Sequence, residues 1–286
     1  MDGIILVDKE KGDSSFHTVR RVRKILGIRK AGHAGTLDPF ATGLLIILIN
    51  QGTKLFPFIM SEEKLYRATI CFGKETDTFD LTGNITAVKD VPSMDKEYIE
   101  ERLKDFIGPI EQTPPAFSAV KQGGVRSYKL ARKGINVELK KRLVHIYDIR
   151  IVSWNSPELI LDIRCSPGTY IRSLAVDVAR DLGTLGYLKE LRRISCGPFH
   201  VDDAISISPE VNREFLEKRI ISLVDALPNY KSIVVDDSMA WRLRNGFQPR
   251  LKGLDPGYVK FVKGDELVAI ARVEKNDSIR LERVFN

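Results

Sequence analysis

The chain has 286 residues, 43% of them hydrophobic, which is enough for one large or two unequal domains with a substantial core. Its 45 Lys and Arg residues against 38 Asp and Glu give a net charge of +7, which favours a polyanionic partner. Three cysteines, odd in number and far apart, argue against a disulfide framework, and no apolar run reaches the length of a membrane span or signal segment, so we expect a soluble, cytoplasmic protein.

The first predicted elements are a strand and a basic helix. Gly3–Asp8 is the predicted strand, and Ser14 or Ser15 is expected to cap a helix that runs to about Leu26. Residues 14–37 contain six basic side chains and no acidic one, a pattern typical of a solvated helix face or of a surface that binds phosphates. The six are Arg20, Arg21, Arg23, Lys24, Arg29 and Lys30.

A glycine-rich stretch, residues 31–43, follows the helix and holds a single carboxylate. Asp38 precedes Pro39, which biases it away from helical geometry, and the three glycines permit positive φ or close approach to a ligand. Leu44–Ile49 is an apolar run typical of a buried strand. A nucleophile can be presented this way, but a structural turn with Asp38 as turn former has the same spacing and is the commoner case.

Further elements are predicted in the middle of the chain. Strands are expected at Lys64–Phe72, with Tyr66 on its apolar face, and at Leu143–Trp154 and Leu159–Cys165, with a helix capped by Ser93 between the first two. Two aspartates at positions 77 and 80 can look like metal ligands, although turn and capping roles are commoner.

Residues 113–134 have a different composition, because they combine basic and aromatic side chains with two adjacent glycines and no acid. Lys121, Arg126 and Tyr128 belong to this segment. We interpret it as an inserted basic segment that binds single-stranded or looped nucleic acid, with an ordinary surface insertion as the alternative.

Arg172 stands in the first turn of a helix that is predicted after residues 167–169 and can be closed by Gly183. A cation there opposes the helix dipole, so Arg172 is expected to have an acidic partner unless it simply points to solvent. From about Lys231, short strand candidates alternate with Gly and Asp turns. The four candidates are Ile233–Val235, Tyr258–Val262, Leu267–Val273 and Ile279–Val284. Residues 231–286 carry eleven Lys and Arg against eight Asp and Glu, which predicts a small basic β-rich module.

Several enzyme classes lack their motifs in this sequence. There is no phosphate-binding GxxxxGK[ST] loop, no GxGxxG between strand and helix, no HExxH and no GxSxG. The four histidines show no metal-ligand spacing, so we predict no structural metal. A cofactor-free reaction on RNA fits a basic protein with one loop carboxylate, one aromatic platform and one arginine in need of a partner.

Six motifs in fixed order resemble those of TruB-type tRNA pseudouridine synthases. The likeness covers most of residues 3–230, and residues 231–286 resemble, more weakly, the short PUA-type RNA-binding module of these enzymes. The motifs are Gly32–Leu45, Lys64–Arg67, Thr76–Asp80, Thr113–Ala119, and Gly168–Ser173 followed by Leu191–Arg193.

The resemblance implies an α+β fold with a mixed, mainly antiparallel sheet, flanking helices and an inserted thumb at about residues 114–134. It implies a catalytic domain at 1–230 and a PUA-like domain at 231–286. The implied activity is isomerisation of uridine to pseudouridine at position 55 in the T loop of tRNA, by a monomer that needs no metal, no organic cofactor and no obligatory protein partner.

Site residues are implied by the same matches. Asp38 matches the nucleophile, which attacks either the base or the ribose, and Arg172 matches the arginine that pairs with it and would keep it ionised. Tyr66 matches the tyrosine that stacks on the base, Leu191 a wall of the pocket, and His33 the histidine that assists base flipping. Further RNA contacts are expected from Lys9, Lys54, Arg20, Arg21, Lys121, Arg126 and Tyr170.

Two other functions remain open at this point. One is a non-catalytic RNA-binding or RNA-folding protein, although such a protein would not need Asp38, Tyr66 and Arg172 together. The other is a related guide-RNA-dependent enzyme that works inside a ribonucleoprotein, although the short C-terminal segment favours a stand-alone enzyme.

Overall fold

The computed structural model describes the chain except for residues 116, 118–120, 123–124, 127–138, 251–252 and 276–277, and it describes no side chains for 121, 122, 125 and 126. The strands, in chain order, are β1 (Gly3–Lys9), β2 (Ala31–Ala34), β3 (Thr42–Ile49), β4 (Lys64–Phe72), β5 (Lys74–Thr76), β6 (Ile85–Val88), β7 (Gly108–Gln112), β8 (Lys121–Gln122), β9 (Val125–Arg126), β10 (Arg142–Asn155), β11 (Glu158–Cys165), β12 (Gly186–Cys196), β13 (Phe199–His200), β14 (Lys231–Val234), β15 (Gly257–Lys263), β16 (Glu266–Val273) and β17 (Ile279–Val284). The α-helices are α1 (Ser15–Leu26), α2 (Phe56–Met60), α3 (Lys96–Leu103), α4 (Ile171–Asp181), α5 (Arg213–Glu217) and α6 (Asp237–Arg244).

A nine-stranded sheet forms the centre of the molecule. Seven strands follow the order β1-β3-β12-β4-β11-β10-β7, while β2 pairs with β3 and β13 pairs with β12. The β3–β12 pair is parallel, and the other strand pairs recorded for this sheet are antiparallel. The predicted mixed, mainly antiparallel sheet with a few helices beside it is therefore confirmed.

Strand β3 is buried on both faces, which explains its unbroken apolar sequence Leu44–Ile49. Its odd-numbered residues join the main hydrophobic cluster, where they pack with side chains of α1 and α4 such as Val22 and Leu174. Its even-numbered residues join a second cluster that contains Phe58 of α2 and Phe285 near the end of the chain. A strand without a solvent face needs no polar alternation.

A second, four-stranded sheet has the order β14-β15-β16-β17 and confirms the four strands predicted after residue 230. It packs directly on the body of the protein through the second cluster. Lys260 of β15 is buried and donates to the carbonyl oxygens of Val224 (2.7 Å) and Leu227 (2.8 Å). Lys54 donates to the carbonyl oxygen of Val284 (2.7 Å). These contacts join the C-terminal sheet to the rest of the chain.

Helix ends follow local capping chemistry, with one correction. The Ser14 hydroxyl accepts the backbone N–H of His17, so Ser14 is the cap of α1. Helix α3 is capped by Asp95, whose carboxylate accepts the N–H of Tyr98 at 2.8 Å, and the prediction of Ser93 as its cap was wrong by two residues. The inserted segment at 114–134 lies mostly outside the described residues. None of the helices in the described ranges is long and apolar enough to cross a membrane.

Candidate active site

The Asp38 loop, residues 35–41, connects β2 to β3, and hydrogen bonds from the N-terminal turn and from α1 hold its backbone. Its neighbour Leu37 is buried, and the Ser15 hydroxyl both donates to the Leu37 carbonyl (3.0 Å) and accepts from the Leu37 N–H (2.9 Å). The Pro39 carbonyl accepts from the N–H of Gly12 (2.7 Å) and from the ammonium of Lys9 (3.3 Å). The N-terminal turn and the start of α1 therefore hold the backbone on both sides of Asp38.

Arg172 is the partner that the sequence predicted for Asp38. Its side chain is 6% exposed, and its Nε lies 3.0 Å from Asp38 Oδ2. Its Nη1 lies 3.4 Å from Asp80 Oδ2 and donates to the Thr78 carbonyl at 3.1 Å, while its Nη2 donates to the Phe117 carbonyl at 3.0 Å. The structure thus contains the expected ion pair. Two carboxylates rather than one, those of Asp38 and Asp80, offset the charge of Arg172 at the start of α4.

Asp80 was not singled out as a site residue by the sequence. It lies in the turn between β5 and β6, where the hydroxyls of Thr78 (2.8 Å) and Thr82 (2.6 Å) and the N–H of Thr82 (2.9 Å) donate to its Oδ1. The turn role considered for this aspartate is therefore present, yet its second oxygen faces Arg172. The threonines on both sides of Asp80 were the available signal for a turn, but such a polar segment does not show that its carboxylate is buried.

Burial raises the pKa of the Asp38 carboxyl, and the neighbouring charge of Asp80 acts in the same direction. Arg172 and Lys9 oppose the shift without cancelling it. Pairing with Arg172 thus acts in the expected direction, toward the ionised form, while desolvation acts against it and gives the net upward shift. The side chain remains 35% exposed, so a ligand can reach it.

Tyr66 and Leu191 lie on one face of the sheet, beside the Asp38 loop. In the β4–β12 ladder Tyr66 pairs with Arg193 and Ala68 pairs with Leu191, so these side chains share the inward face. Tyr66 packs against the main hydrophobic cluster, and burial raises its pKa to about 12. The phenol is therefore protonated near neutral pH, which suits a stacking platform better than a proton acceptor.

His33 lies in β2, just before the Asp38 loop. Burial and the positive charge of Arg193 lower its pKa, so the imidazole is neutral at pH 7. Its Nδ1 is buried and has no hydrogen-bond partner among the residues that the structure describes. His33 is therefore a neutral ring with one buried nitrogen whose partner the described residues do not supply.

Some of the other predicted contact residues support the fold. Lys9 is 1% exposed, and its ammonium donates to Glu10 O (2.8 Å), Asp13 O (2.7 Å) and Pro39 O; burial lowers its pKa to about 8. Arg21 hydrogen-bonds the carboxylate of Asp13 and the carbonyl of Ile207.

The remaining predicted contacts are dispersed. Lys54 binds the C-terminal strand, Arg20 lies over the exposed ring of Phe16 at 4.9 Å, and the backbone of Tyr170 hydrogen-bonds the side chain of Gln112. The side chains of Lys121 and Arg126 lie outside the described residues. The structure thus brings Asp38, Arg172, Tyr66, Leu191 and His33 around one loop and leaves Lys54 and Arg20 to other surroundings.

Arg193 is a second site residue that sequence reasoning passed over. It is 1% exposed and donates from Nε to Leu44 O (2.6 Å) and from Nη2 to Gly35 O (3.1 Å). Arg193 lies within the Leu191–Arg193 motif, but the sequence does not show which of the two adjacent arginines is buried. Arg192 points to the opposite face and binds the carboxylate of Asp8 with two hydrogen bonds of 3.0 and 2.7 Å.

Comparison with known proteins identifies the family of the chain. Residues 23–171 match the model of the TruB family pseudouridylate synthase N-terminal domain. A tRNA pseudouridine synthase B of Syntrophus aciditrophicus (strain SB) is 41% identical over 285 residues, which cover 95% of this chain and 91% of that protein. A tRNA pseudouridine synthase B of Geobacter sulfurreducens is 37% identical over 306 aligned positions that cover both chains fully.

Solved structures show the same fold. A chain of a Cbf5-Nop10-Gar1 complex superposes with a TM-score of 0.76 over 99% of this chain and 85% of its own length, at 23% identity. A chain of an H/ACA RNP bound to a substrate RNA containing 2'-deoxyuridine gives a TM-score of 0.74 at 22% identity, with the same coverage. At such identities the likeness concerns the fold alone. On the family match and the full-length relatives, the chain belongs to the TruB family of pseudouridine synthases, which are isomerases.

Proposed function

We propose that this protein isomerises uridine to pseudouridine in tRNA, at position 55 of the T loop, with Asp38 as the nucleophile. The observation that carries the proposal is the Asp38–Arg172 ion pair on a loop whose Gly35 carbonyl accepts a hydrogen bond from Arg193, the ladder partner of Tyr66. Relatives that span this chain end to end bear the name tRNA pseudouridine synthase B, which supports tRNA as the substrate.

The reaction exchanges one bond to the ribose for another. The Asp38 carboxylate adds to the base or to C1′ of the ribose, the C1′–N1 bond breaks, and the uracil keeps the bonding electrons. The ring turns within the pocket and C5 bonds to C1′. The bond to Asp38 breaks, which restores the carboxylate, and N1 gains a proton while C5 loses its own. Nucleophilic assistance divides one difficult step into easier ones, and the enclosed pocket retains the free base.

The neighbouring side chains receive roles that follow from their places. Tyr66 stacks on the flipped base and stays protonated, because its pKa is about 12. Leu191 forms an apolar wall, and neutral His33 offers its unpaired nitrogen to the nucleotide during flipping. Arg172 orients Asp38 through the Nε–Oδ2 contact and is itself held by Asp80.

The RNA is bound beyond the pocket by basic surfaces. The exposed face of α1, with Arg20, lies next to the helix end that anchors the Asp38 loop, and the thumb with Lys121 and Arg126 supplies further cations. We divide the chain into a catalytic domain at 1–230 and a PUA-like RNA-binding domain at 231–286. Phosphate contacts of this kind make affinity fall steeply with salt.

One assay tests both the position of the modified uridine and whether the protein acts without a guide RNA or protein partner. Its substrate is tRNA that carries tritium at uracil C5. The protein alone is expected to release tritium from one uridine per tRNA, and a tRNA with cytidine at position 55 is expected to release none. Undiminished release from the cytidine tRNA would contradict the proposed position. Activity that required an added guide RNA or protein would instead favour the ribonucleoprotein type of enzyme.

A further inference from the structure

Among the described residues, Arg193 is a buried cation without a carboxylate partner. In the part of the chain that the structure describes, no Asp or Glu oxygen lies within 4.0 Å of its guanidinium. It is satisfied by neutral acceptors, the carbonyl oxygens of Leu44 and Gly35. Arg172 and Arg192, by contrast, each have carboxylate partners. A fully buried and uncompensated charge is costly to a fold, so its presence calls for a reason.

The glycines of the Asp38 loop make room for this residue. Gly43 has a φ of +100° and faces Arg193 in the β3–β12 pair, where an added Cβ would lie 2.3 Å from Arg193 O and 2.7 Å from Arg193 N. Gly35 has a φ of +91°, and a Cβ there would lie 3.1 Å from Nη1 of the guanidinium. Gly35 at the start of the loop and Gly43 in β3 just after it therefore permit the close approach of Arg193, in addition to their own backbone geometry.

The charge of Arg193 acts on the residues around the pocket. Arg193 pairs with Tyr66 across the β4–β12 ladder, which places the two side chains side by side on the inward face. Its positive charge acts to lower the pKa of Tyr66, His33 and Lys9, although at Tyr66 the opposite effect of burial is larger. One fixed cation thus places positive charge beside Tyr66 and the Asp38 loop while its neighbours His33 and Tyr66 stay neutral.

We propose that Arg193 is a positioning residue whose charge, held under Tyr66 and the Asp38 loop, stabilises the uracil when it leaves C1′ with the bonding electrons. This inference rests on the proposed function. Once the C1′–N1 bond has broken, negative charge spreads over N1, O2 and O4 of the ring until C5 bonds to the ribose and the ring regains a proton at N1. A charge that is already fixed in a dry pocket needs no reorganisation to oppose it. The lack of a carboxylate partner leaves that charge undiminished.

Two substitutions separate the charge from the hydrogen bonds. Arg193→Lys keeps the charge, and Arg193→Gln keeps a donor for one carbonyl but loses the charge. In single-turnover tritium release, we expect Arg193→Gln to lose about 100-fold and Arg193→Lys to stay within about tenfold of wild type, with tRNA affinity unchanged in both. Equal losses in the two variants would overturn the proposal, because only the fork of hydrogen bonds would then matter.

A spectroscopic readout and a neighbouring control complete the test. The His33 ring, followed by NMR, is expected to titrate at higher pH in Arg193→Gln than in Arg193→Lys; identical titrations would also contradict the role of the charge. Arg192→Gln, one residue along and on the opposite face, is expected to release tritium at the wild-type rate. Should Arg193→Gln fail to fold, Arg193→Lys decides alone, and a loss above about 100-fold would refute the proposal. Wild-type protein that releases no tritium would instead refute the proposed function.

Discussion

The Ser15 hydroxyl is the contact through which helix α1 holds the Asp38 loop, and its removal should damage both stability and catalysis. Ser15 is buried and exchanges two hydrogen bonds with the backbone of Leu37, one residue before Asp38. Ser15→Ala leaves the N–H and the carbonyl of Leu37 without this partner inside the protein. An orphaned buried polar group costs about 1–3 kcal/mol.

For two such groups, partly relieved by local adjustment, we expect a loss of roughly 2–4 kcal/mol in the free energy of unfolding. In a chain of this size each kcal/mol lowers Tm by about 2–4 °C, so a fall of roughly 5–15 °C is expected. The loop should also lose its fixed position, so kcat for tritium release should fall about tenfold or more while tRNA binding is retained. Urea unfolding and single-turnover release measure the two effects.

Ser14→Ala is the matched control, because Ser14 caps the same helix through an exposed bond of 3.1 Å to the His17 N–H and does not contact the loop. It should cost about 1 kcal/mol of stability and leave the rate unchanged. The reasoning is refuted if Ser15→Ala unfolds like wild type, or if the two variants lose activity equally.

Three further predictions concern charge. Asp80→Asn removes a charge that raises the pKa of Asp38, so the acid limb of the pH–rate profile should move to lower pH; an unmoved limb, or one at higher pH, would contradict this coupling. Burial lowers the pKa of Lys9 to about 8, so the native state loses this proton before the unfolded state does. Stability should therefore rise by up to roughly 3 kcal/mol between about pH 8 and pH 10.5, and Lys9→Met should abolish this rise in urea titrations. Affinity for tRNA should drop at least about tenfold between 50 and 200 mM salt; a salt-independent Kd would count against a phosphate-binding surface.

Regular elements were predictable because their patterns carry physical constraints. The apolar run of β3 and the terminal strands up to Ile279–Val284 were located within a few residues. The need of Arg172 for an acidic partner also followed from local physics, since a cation at a helix start opposes the dipole. What local pattern could not supply was the identity of that partner, which lies 134 residues away in the chain.

Residues whose function depends on burial escaped prediction. Asp80 and Arg193 are charged and stand in polar or mixed segments, so no local pattern marks them as buried. The desolvation that opposes Arg172 at Asp38 escaped prediction for the same reason, since it arises only when the loop packs. The prediction of the α3 cap was wrong for a different reason, because Ser93 and Asp95 are both favourable cap residues and lie two positions apart.

The division of the chain at residue 230 and the RNA-binding role of its last part stay predictions. The C-terminal strands lie where the sequence placed them, but Phe285 and Leu267 are part of the same hydrophobic cluster as Ile4 and Leu44 of the central sheet. We therefore expect this part to unfold together with the body, since the two share buried surface.

The central claim is that Asp38 performs the nucleophilic step, and Asp38→Asn tests it most directly. The substitution preserves the size of the side chain and removes its charge. With tRNA carrying tritium at uracil C5, wild-type protein should release tritium from one T-loop uridine, whereas Asp38→Asn should release none and should bind the same tRNA with a Kd within about threefold of wild type. Release by Asp38→Asn at the wild-type rate would contradict the account.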